Sequence, residues 1–289
     1  MRNGKRGRVS PMTSFAGAVI LPELEKTLVF KNRDLATDNH RDTLFYDVDC
    51  FGVRGIDAVT GRVDGLAIGV NRYGLAVANT HVRSTDEPSY HVLTEQILMF
   101  AKDAEDGLSM VEDHLKSGRR YQWGNLVLAD DDSMLVIEIA GDDYSVEWSK
   151  RKVLRTSHHI MLDTEDEVRE YLTKVGPNAY EASMKRVDRG YELIRHVDNV
   201  KDVFDLLKDH GESKGLSSIC MHPESDGHPS TVMSYVVEID HMQETGRPKV
   251  VFHVAKGNPC ESNYVSIPLV FPADEEITRR AEQMYPGLG

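Results

Sequence analysis

Cysteine is scarce in this chain of 289 residues: three only, Cys50, Cys220 and Cys260, odd in number and far apart in the sequence. That count excludes a disulfide framework, and the spacing offers no zinc ribbon. Positive charge is also short. Thirty-four Lys and Arg stand against 47 Asp and Glu, for a formal net charge of -13. Basic residues are dense only at Arg2, Lys5, Arg6 and Arg8. A phosphate backbone repels such a surface, so nucleic acid is not an expected partner. Long apolar runs are missing as well. The stretch from Phe15 to Pro22 falls far below the ~20 residues of a membrane-spanning helix, and no membrane span is expected. The basic start lacks the apolar segment of a secretory signal, and the chain reads as cytoplasmic. Phosphate-loop, nucleophile-elbow, HExxH and GxGxxG motifs are all absent.

What is present is a globular composition, 40% hydrophobic and 28% charged, long enough to bury a substantial core. Ser14 to Leu21 and Thr27 to Phe30 read as strands flanking a turn at Pro22-Glu23. Asp64 to Val70 and Gly74 to Asn79 read as a second hairpin. Apolar positions between Tyr90 and Leu115 recur at three-four spacing, predicting a helix pair broken near Gly107. An antiparallel meander follows in Asn125 to Ala129, Met134 to Ile139, Tyr144 to Trp148 and Val153 to Thr156. Helical spacing returns in Glu165 to Val175, Glu181 to His196 and Val200 to Asp209. Strands are expected again at Ser217 to Met221, Thr231 to Ile239 and Val250 to Val254. Blocks of antiparallel strands alternating with blocks of helices predict an α+β fold, a four-layer αββα sandwich of two sheets between helical layers. No repeat or low-complexity linker divides the chain. Residues 1–12 are expected to be a leader and 13–289 a single domain, with Asp38 to Gly61 and Arg83 to Ser89 as substrate-lining loops.

Two histidine groups invite a metal reading, His158-His159 and the stretch from His222 to His228. Adjacent strand residues point to opposite faces, and neither helical i,i+4 nor CxxC ligand spacing is found. No metal and no cofactor are expected. The informative segment is instead Ser10-Pro11-Met12-Thr13-Ser14-Phe15, followed by Lys31-Asn32-Arg33-Asp34-Leu35. A Thr opening a buried strand after a removable Met has the arrangement of an N-terminal nucleophile. Its α-amine, with an unperturbed pKa near ~7.7 to 8, suits a general base at neutral pH. An ordinary strand Thr is the competing reading.

These residues resemble the N-terminal-nucleophile hydrolases of the choloylglycine hydrolase and penicillin acyltransferase-like families, in which a Cys-Thr start precedes a strand ending in an Asn-x-Asp signature. The stretch from Asp64 to Val82 is also similar to NRDE-type proteins of that superfamily. The runs at Trp123, Arg155 (RTSHH), Ala182 (ASMKR), Ser217, Ser230 and Gly257 fall in the order expected of the acyltransferase-like family. The resemblance covers nearly the whole chain. It implies an amidohydrolase or acyltransferase acting on a linear amide through an acyl-enzyme, with a small-molecule amide or acyl substrate. Two alignments stay open. Thr13 stands for the family Cys and is the nucleophile, or Met12 replaces it and the protein is a catalytically inactive small-molecule binder.

The same resemblance assigns Asp34 to hold the α-amine and Arg33, or Lys31, to supply the adjacent positive charge. Both Arg33 and Asp34 could serve one site only across a bulge or strand end. Asn79 or Asn125 is expected to donate to the oxyanion. Ser157 falls where the family carries an Asn, and with His158 it is expected to bind substrate. Arg186 is expected to approach the nucleophile, a solvated helix charge being the alternative. A homo-oligomer is compatible with all of this.

Overall fold

The computed structural model describes residues 12–36, 40–57, 62–225, 227–241 and 247–288. Most of the expected leader, residues 1–11, lies outside them, as does part of the predicted Asp38 to Gly61 loop. The chain opens with β1 (Met12–Leu21), a short 3-10 turn at Pro22–Leu24, and β2 (Lys26–Leu35). The left-handed Glu25 closes that turn. Next come β3 (Leu44–Tyr46), β4 (Cys50–Ile56), β5 (Val63–Asn71) and β6 (Ala76–Arg83), then α1 (His91–Phe100) and α2 (Ala104–Lys116). A meander of β7 (Tyr121–Ala129), β8 (Met134–Gly141), β9 (Asp143–Ser149) and β10 (Lys152–Arg155) leads to α3 (Glu165–Leu172), α4 (Ala179–Ile194) and α5 (Val200–Leu207). The chain closes with β11 (Ser230–Asp240), β12 (Lys249–Lys256), β13 (Val265–Leu269) and α6 (Glu275–Met284).

The strands form two antiparallel sheets. One runs β10-β1-β2-β11-β12-β13 and the other β3-β4-β5-β6-β7-β8-β9. Strand alternation then builds the layers. Met12, Ala16, Ala18 and Ile20 of β1 meet Ala76, Ala78, Val127 and Val136 of the second sheet in the inter-sheet core. Phe15, Val19 and Leu21 point the other way, against Ile194, Val203 and Leu207 of the α4 and α5 layer. On the outer face of the second sheet, Leu66, Val77 and Leu128 pack beneath Leu93 and Ile97 of α1 and Val111 of α2. The αββα sandwich is therefore present as expected. Among the described residues no helix is long and apolar enough to cross a membrane.

Three local expectations differ. The helix pair breaks at Ala101 to Asp103, where the Asp103 carboxylate accepts the Asp106 N–H as an N-cap. Gly107 instead sits inside α2, where a Cβ would approach Leu128 Cδ2 to 2.6 Å. It marks a close helix-sheet contact. The expected strand from Ser217 to Met221 is irregular chain, while the predicted loop after Asp38 contains β3 and β4.

Gly17, four residues along β1 from Thr13, shows how tight the first layer boundary is. A Cβ there would sit 2.6 Å from the Val153 carbonyl oxygen of the neighbouring strand. Backbone cannot yield as a side chain can. Gly17→Ala is expected to cost about 1–3 kcal/mol through overpacking, read as a lowered urea midpoint at unchanged slope.

Candidate active site

Three neighbouring interior strands of the six-stranded sheet, β1, β2 and β11, bring their ends together. Thr13 of β1 stands opposite Asp34 of β2, and Asp34 stands opposite Thr231 of β11. Parity sends Thr13 and Asp34 to the helical face, since Phe15 of β1 and Leu28 and Phe30 of β2 point there too, whereas the odd-numbered residues of β11 from Met233 on face the inter-sheet core and Thr231 joins the other two only across a bulge. A bulge between Thr231 and Met233 resets β11 at this point. Arg186 reaches in from α4.

The four groups meet on the Asp34 carboxylate. Thr13 Oγ1 donates to Asp34 Oδ2 at 3.2 Å, and Arg186 Nη1 donates to the same oxygen at 3.2 Å. Thr231 Oγ1 donates to Asp34 Oδ1 at 2.7 Å and accepts the Met221 N–H at 2.9 Å. The Thr13 hydroxyl also faces Met221 Sδ at 3.7 Å. All are buried: Thr13 is 4% exposed and Asp34 0%. Burial pushes the Asp34 carboxyl above its ordinary range, and Arg186 and the two hydroxyls oppose that rise. Arg186 Nε lies buried without a partner.

The turn after β10 completes the surroundings. Ser157 Oγ accepts the Ser14 N–H at 3.2 Å, one residue from Thr13. Ser183 of α4, one turn before Arg186, ties this turn to the helix: its Oγ accepts the Ser157 N–H at 3.1 Å and lies 2.9 Å from His158 Nδ1. Burial, then the Arg186 charge, pushes the His158 imidazole down to about 4, so it is neutral at pH 7. His158 also lines a cleft of about 500 Å³ with Ile160, Met161, Tyr180, Met184 and Val187.

Other expected residues lie elsewhere, and the expectations are corrected accordingly. Arg33 points into the inter-sheet layer, where Nη1 bonds Asp42 at 2.8 Å and Nη2 the Arg54 carbonyl at 2.8 Å. The bulge falls in β11 rather than β2, so nothing turns Arg33 toward Thr13. Lys31, on the same face as Arg33, donates to the Asn79 carbonyl; burial, then Arg33, lowers its ammonium to about 7. The Asn79 side chain faces α1 and donates to Leu66 O at 2.8 Å and Thr94 Oγ1 at 2.9 Å. Asn125 spends its amide on Thr80 Oγ1, Thr156 O and His158 O at 2.8, 3.1 and 3.2 Å. Neither amide is directed at Thr13. Asn125 instead pins the turn that carries Ser157.

Sequence reading missed Glu138, Thr231 and Met221. Glu138 is the sole acid in the apolar run of β8, a signal of a buried charge that needs partners. It accepts the N–H groups of Ile160, Met161 and Leu162 at 2.8, 2.9 and 3.0 Å and pairs with the fully buried Arg155 at 2.8 Å. It thereby holds one wall of the cleft. The cysteines are not all separate in space either: Cys220 and Cys260 meet at 3.5 Å.

Two antiparallel sheets between helical layers form the αββα sandwich of the N-terminal-nucleophile hydrolases. Comparison with known proteins agrees. Residues 23–243 match the family described as acyl-coenzyme A:6-aminopenicillanic acid acyl-transferase, and the chain belongs to that family. Its fold is similar to penicillin V acylase from Agrobacterium tumefaciens, at 14% identity and a TM-score of 0.53, covering 89% of this chain and 86% of that one. It is also similar to a point mutant of conjugated bile acid hydrolase from Clostridium perfringens, at 9% identity and a TM-score of 0.50, covering 88% of this chain and 92% of that one. No curated protein matches the chain by sequence.

Burial raises the Glu138 carboxyl, but Arg155 and the three N–H groups outweigh it and leave its pKa lowered. A lowered folded value contributes stability above the unfolded carboxyl value of ~4.3, and that stability is lost as pH falls through the folded value. Urea midpoints measured from pH 7 downward are expected to drop over this acid range. Glu138→Gln is expected to be less stable at pH 7 and to show a flatter acid limb.

Proposed function

We propose that this protein is an amidohydrolase or acyltransferase that cleaves a linear amide through Thr13 as an N-terminal nucleophile, with no cofactor. The observation that carries this reading is the sharing of Asp34 Oδ2 by the Thr13 hydroxyl and the Arg186 guanidinium, each at 3.2 Å, within a chain of this family.

Activation requires the bond between Met12 and Thr13 to be cut, because a peptide nitrogen is no base. Asp34 is placed to take the Thr13 hydroxyl proton while Oγ1 attacks the Met12 carbonyl carbon. As the Met12–Thr13 C–N bond breaks, Asp34 returns that proton to the Thr13 nitrogen, so the peptide becomes an ester and the nitrogen a free amine, and water then hydrolyses the ester. Met12 is 8% exposed in the inter-sheet core and pairs with Leu35. Its departure opens the space beside the new amine.

In the processed enzyme the α-amine accepts the Thr13 hydroxyl proton as Oγ1 attacks the substrate carbonyl. Asp34 holds the resulting ammonium. The oxyanion takes donors from the unpartnered Arg186 Nε and the Ser157 hydroxyl, in place of Asn79 and Asn125. One positioned donor is worth ~3 kcal/mol. Collapse expels the leaving amine, which receives the proton from the ammonium. Water or an acceptor amine then attacks the acyl ester. Exposed Ile160, Met161 and Met184 around the His158 cleft favour an apolar acyl group.

A second reading is supported by Met12 itself. It continues β1 in register and fills the core, as a residue that is never removed would. The protein is then a non-catalytic small-molecule binder on the same fold.

Intact mass decides between them. A purified chain beginning at Thr13 is the expected result, and a stable chain that keeps Met12 supports the binder. On an amide panel, Thr13→Ala is expected to lose roughly 10³-fold or more in turnover, with Thr13→Ser retaining part of it; unchanged turnover in Thr13→Ala removes Thr13 from the mechanism.

A further inference from the structure

We propose that His210, Cys220, His222 and Cys260 form a structural zinc site that clamps the segment beside Thr13. The four ligand atoms come from two parts of the chain that meet only in the fold. His210, Cys220 and His222 lie between α5 and β11, and Cys260 lies in the loop after β12. The Cys220 N–H donates to the Asp209 carbonyl at 2.9 Å, folding the intervening loop back so that His210 returns beside His222. This non-local closure is why no sequence spacing announces the group.

The four ligand atoms are close enough together to bind a single ion. All four atoms lie within 4.8 Å of one another. The His210 and His222 Nε2 atoms are 3.0 Å apart, the two Sγ atoms 3.5 Å, and His222 Nε2 lies 3.3 Å from Cys260 Sγ and 3.7 Å from Cys220 Sγ. Zinc bonds of ~2.3 Å to sulfur and ~2.0 Å to nitrogen give tetrahedral edges of about 3.3 to 3.8 Å, and these four separations lie within about 0.3 Å of the corresponding edges. Two thiolates with two imidazoles form a closed four-ligand set of soft and borderline donors, the chemistry that selects zinc and leaves no open position for catalysis.

The outer contacts suit the same assignment. Asn258 Nδ2 approaches Cys220 Sγ at 3.6 Å, a donor toward a thiolate, and Glu261 lies 4.0 Å from His222 Nδ1, the nitrogen away from the cluster. The described residues from Lys208 to Pro229 carry no helix or strand, and an irregular segment of that length inside a compact domain needs another source of order. Cys220 and His222 flank Met221, whose sulfur faces the Thr13 hydroxyl and whose N–H is held by Thr231. The metal therefore fixes one side of the Thr13 pocket, whether or not Thr13 is a nucleophile.

The test is the metal content of the full chain, purified without a histidine tag or chelator. One zinc per chain is expected, falling to background in Cys260→Ser and in His210→Ala. Exchange of the wild-type metal for Co²⁺ is expected to give the intense visible bands of a tetrahedral ion and a thiolate charge-transfer band, a readout that holds even where a variant fails to fold. A metal-free wild-type chain with a Cys220–Cys260 disulfide overturns the proposal. So does full zinc retention in Cys220→Ser/Cys260→Ser, or a weak octahedral Co²⁺ spectrum.

Discussion

The buried carboxylate of Asp34 is the constraint around which the first sheet is organised. A lone ionised carboxylate in a dry interior costs several kcal/mol, so it persists only with donors arranged about it. Here these come from two strands and a helix, namely Thr13 of β1, Thr231 of β11 and Arg186 of α4, around the β2 residue itself. Each of those residues must arrive from a different part of the chain. The β1-β2-β11 register, the β11 bulge and the close approach of α4 to the sheet are the means by which they do.

The same accounting extends outward through a second charge. Glu138 and Arg155 are both fully buried, and three consecutive backbone N–H groups from Ile160 to Leu162 complete the carboxylate's shell. Between the two centres runs the turn of Thr156, Ser157 and His158, tied to α4 by Ser183 and to β7 by Asn125. Polar groups that look like candidate catalysts in sequence are in several cases the ties that hold this turn. Asn125 shows the difference: its amide nitrogen is committed to Thr80 and two carbonyls, so its influence on Thr13 passes through Ser157.

Much of the fold was legible because it rests on local periodicity. The two hairpins, the meander and the positions of α3, α4 and α5 follow from period-two and period-3.6 apolar patterns, and short turns between neighbouring antiparallel strands give the layers. The failures share one cause. Ser217 to Met221 is apolar because Ile219, Cys220 and Met221 are buried, but burial alone does not distinguish a strand from a packed loop. Gly107 is small to admit Leu128, and a sequence cannot tell a close contact from a break.

For the site, the sequence by itself determined the segment from Met12 to Leu35, the presence of Thr13, Asp34 and Arg186, and the order of motifs that marks the family. Those are statements about residue types and succession along the chain. Only the tertiary structure decided which of them share a face. Strand parity sends Asp34 toward α4 and its neighbour Arg33 into the opposite layer, and it turns Asn79 to α1. Likewise the three cysteines looked too few and too scattered to matter, until the loop closing on Asp209 brought Cys220 and Cys260 together beside two histidines. Parity and loop closure depend on which surfaces are buried, a property of the packed layers that no local pattern contains.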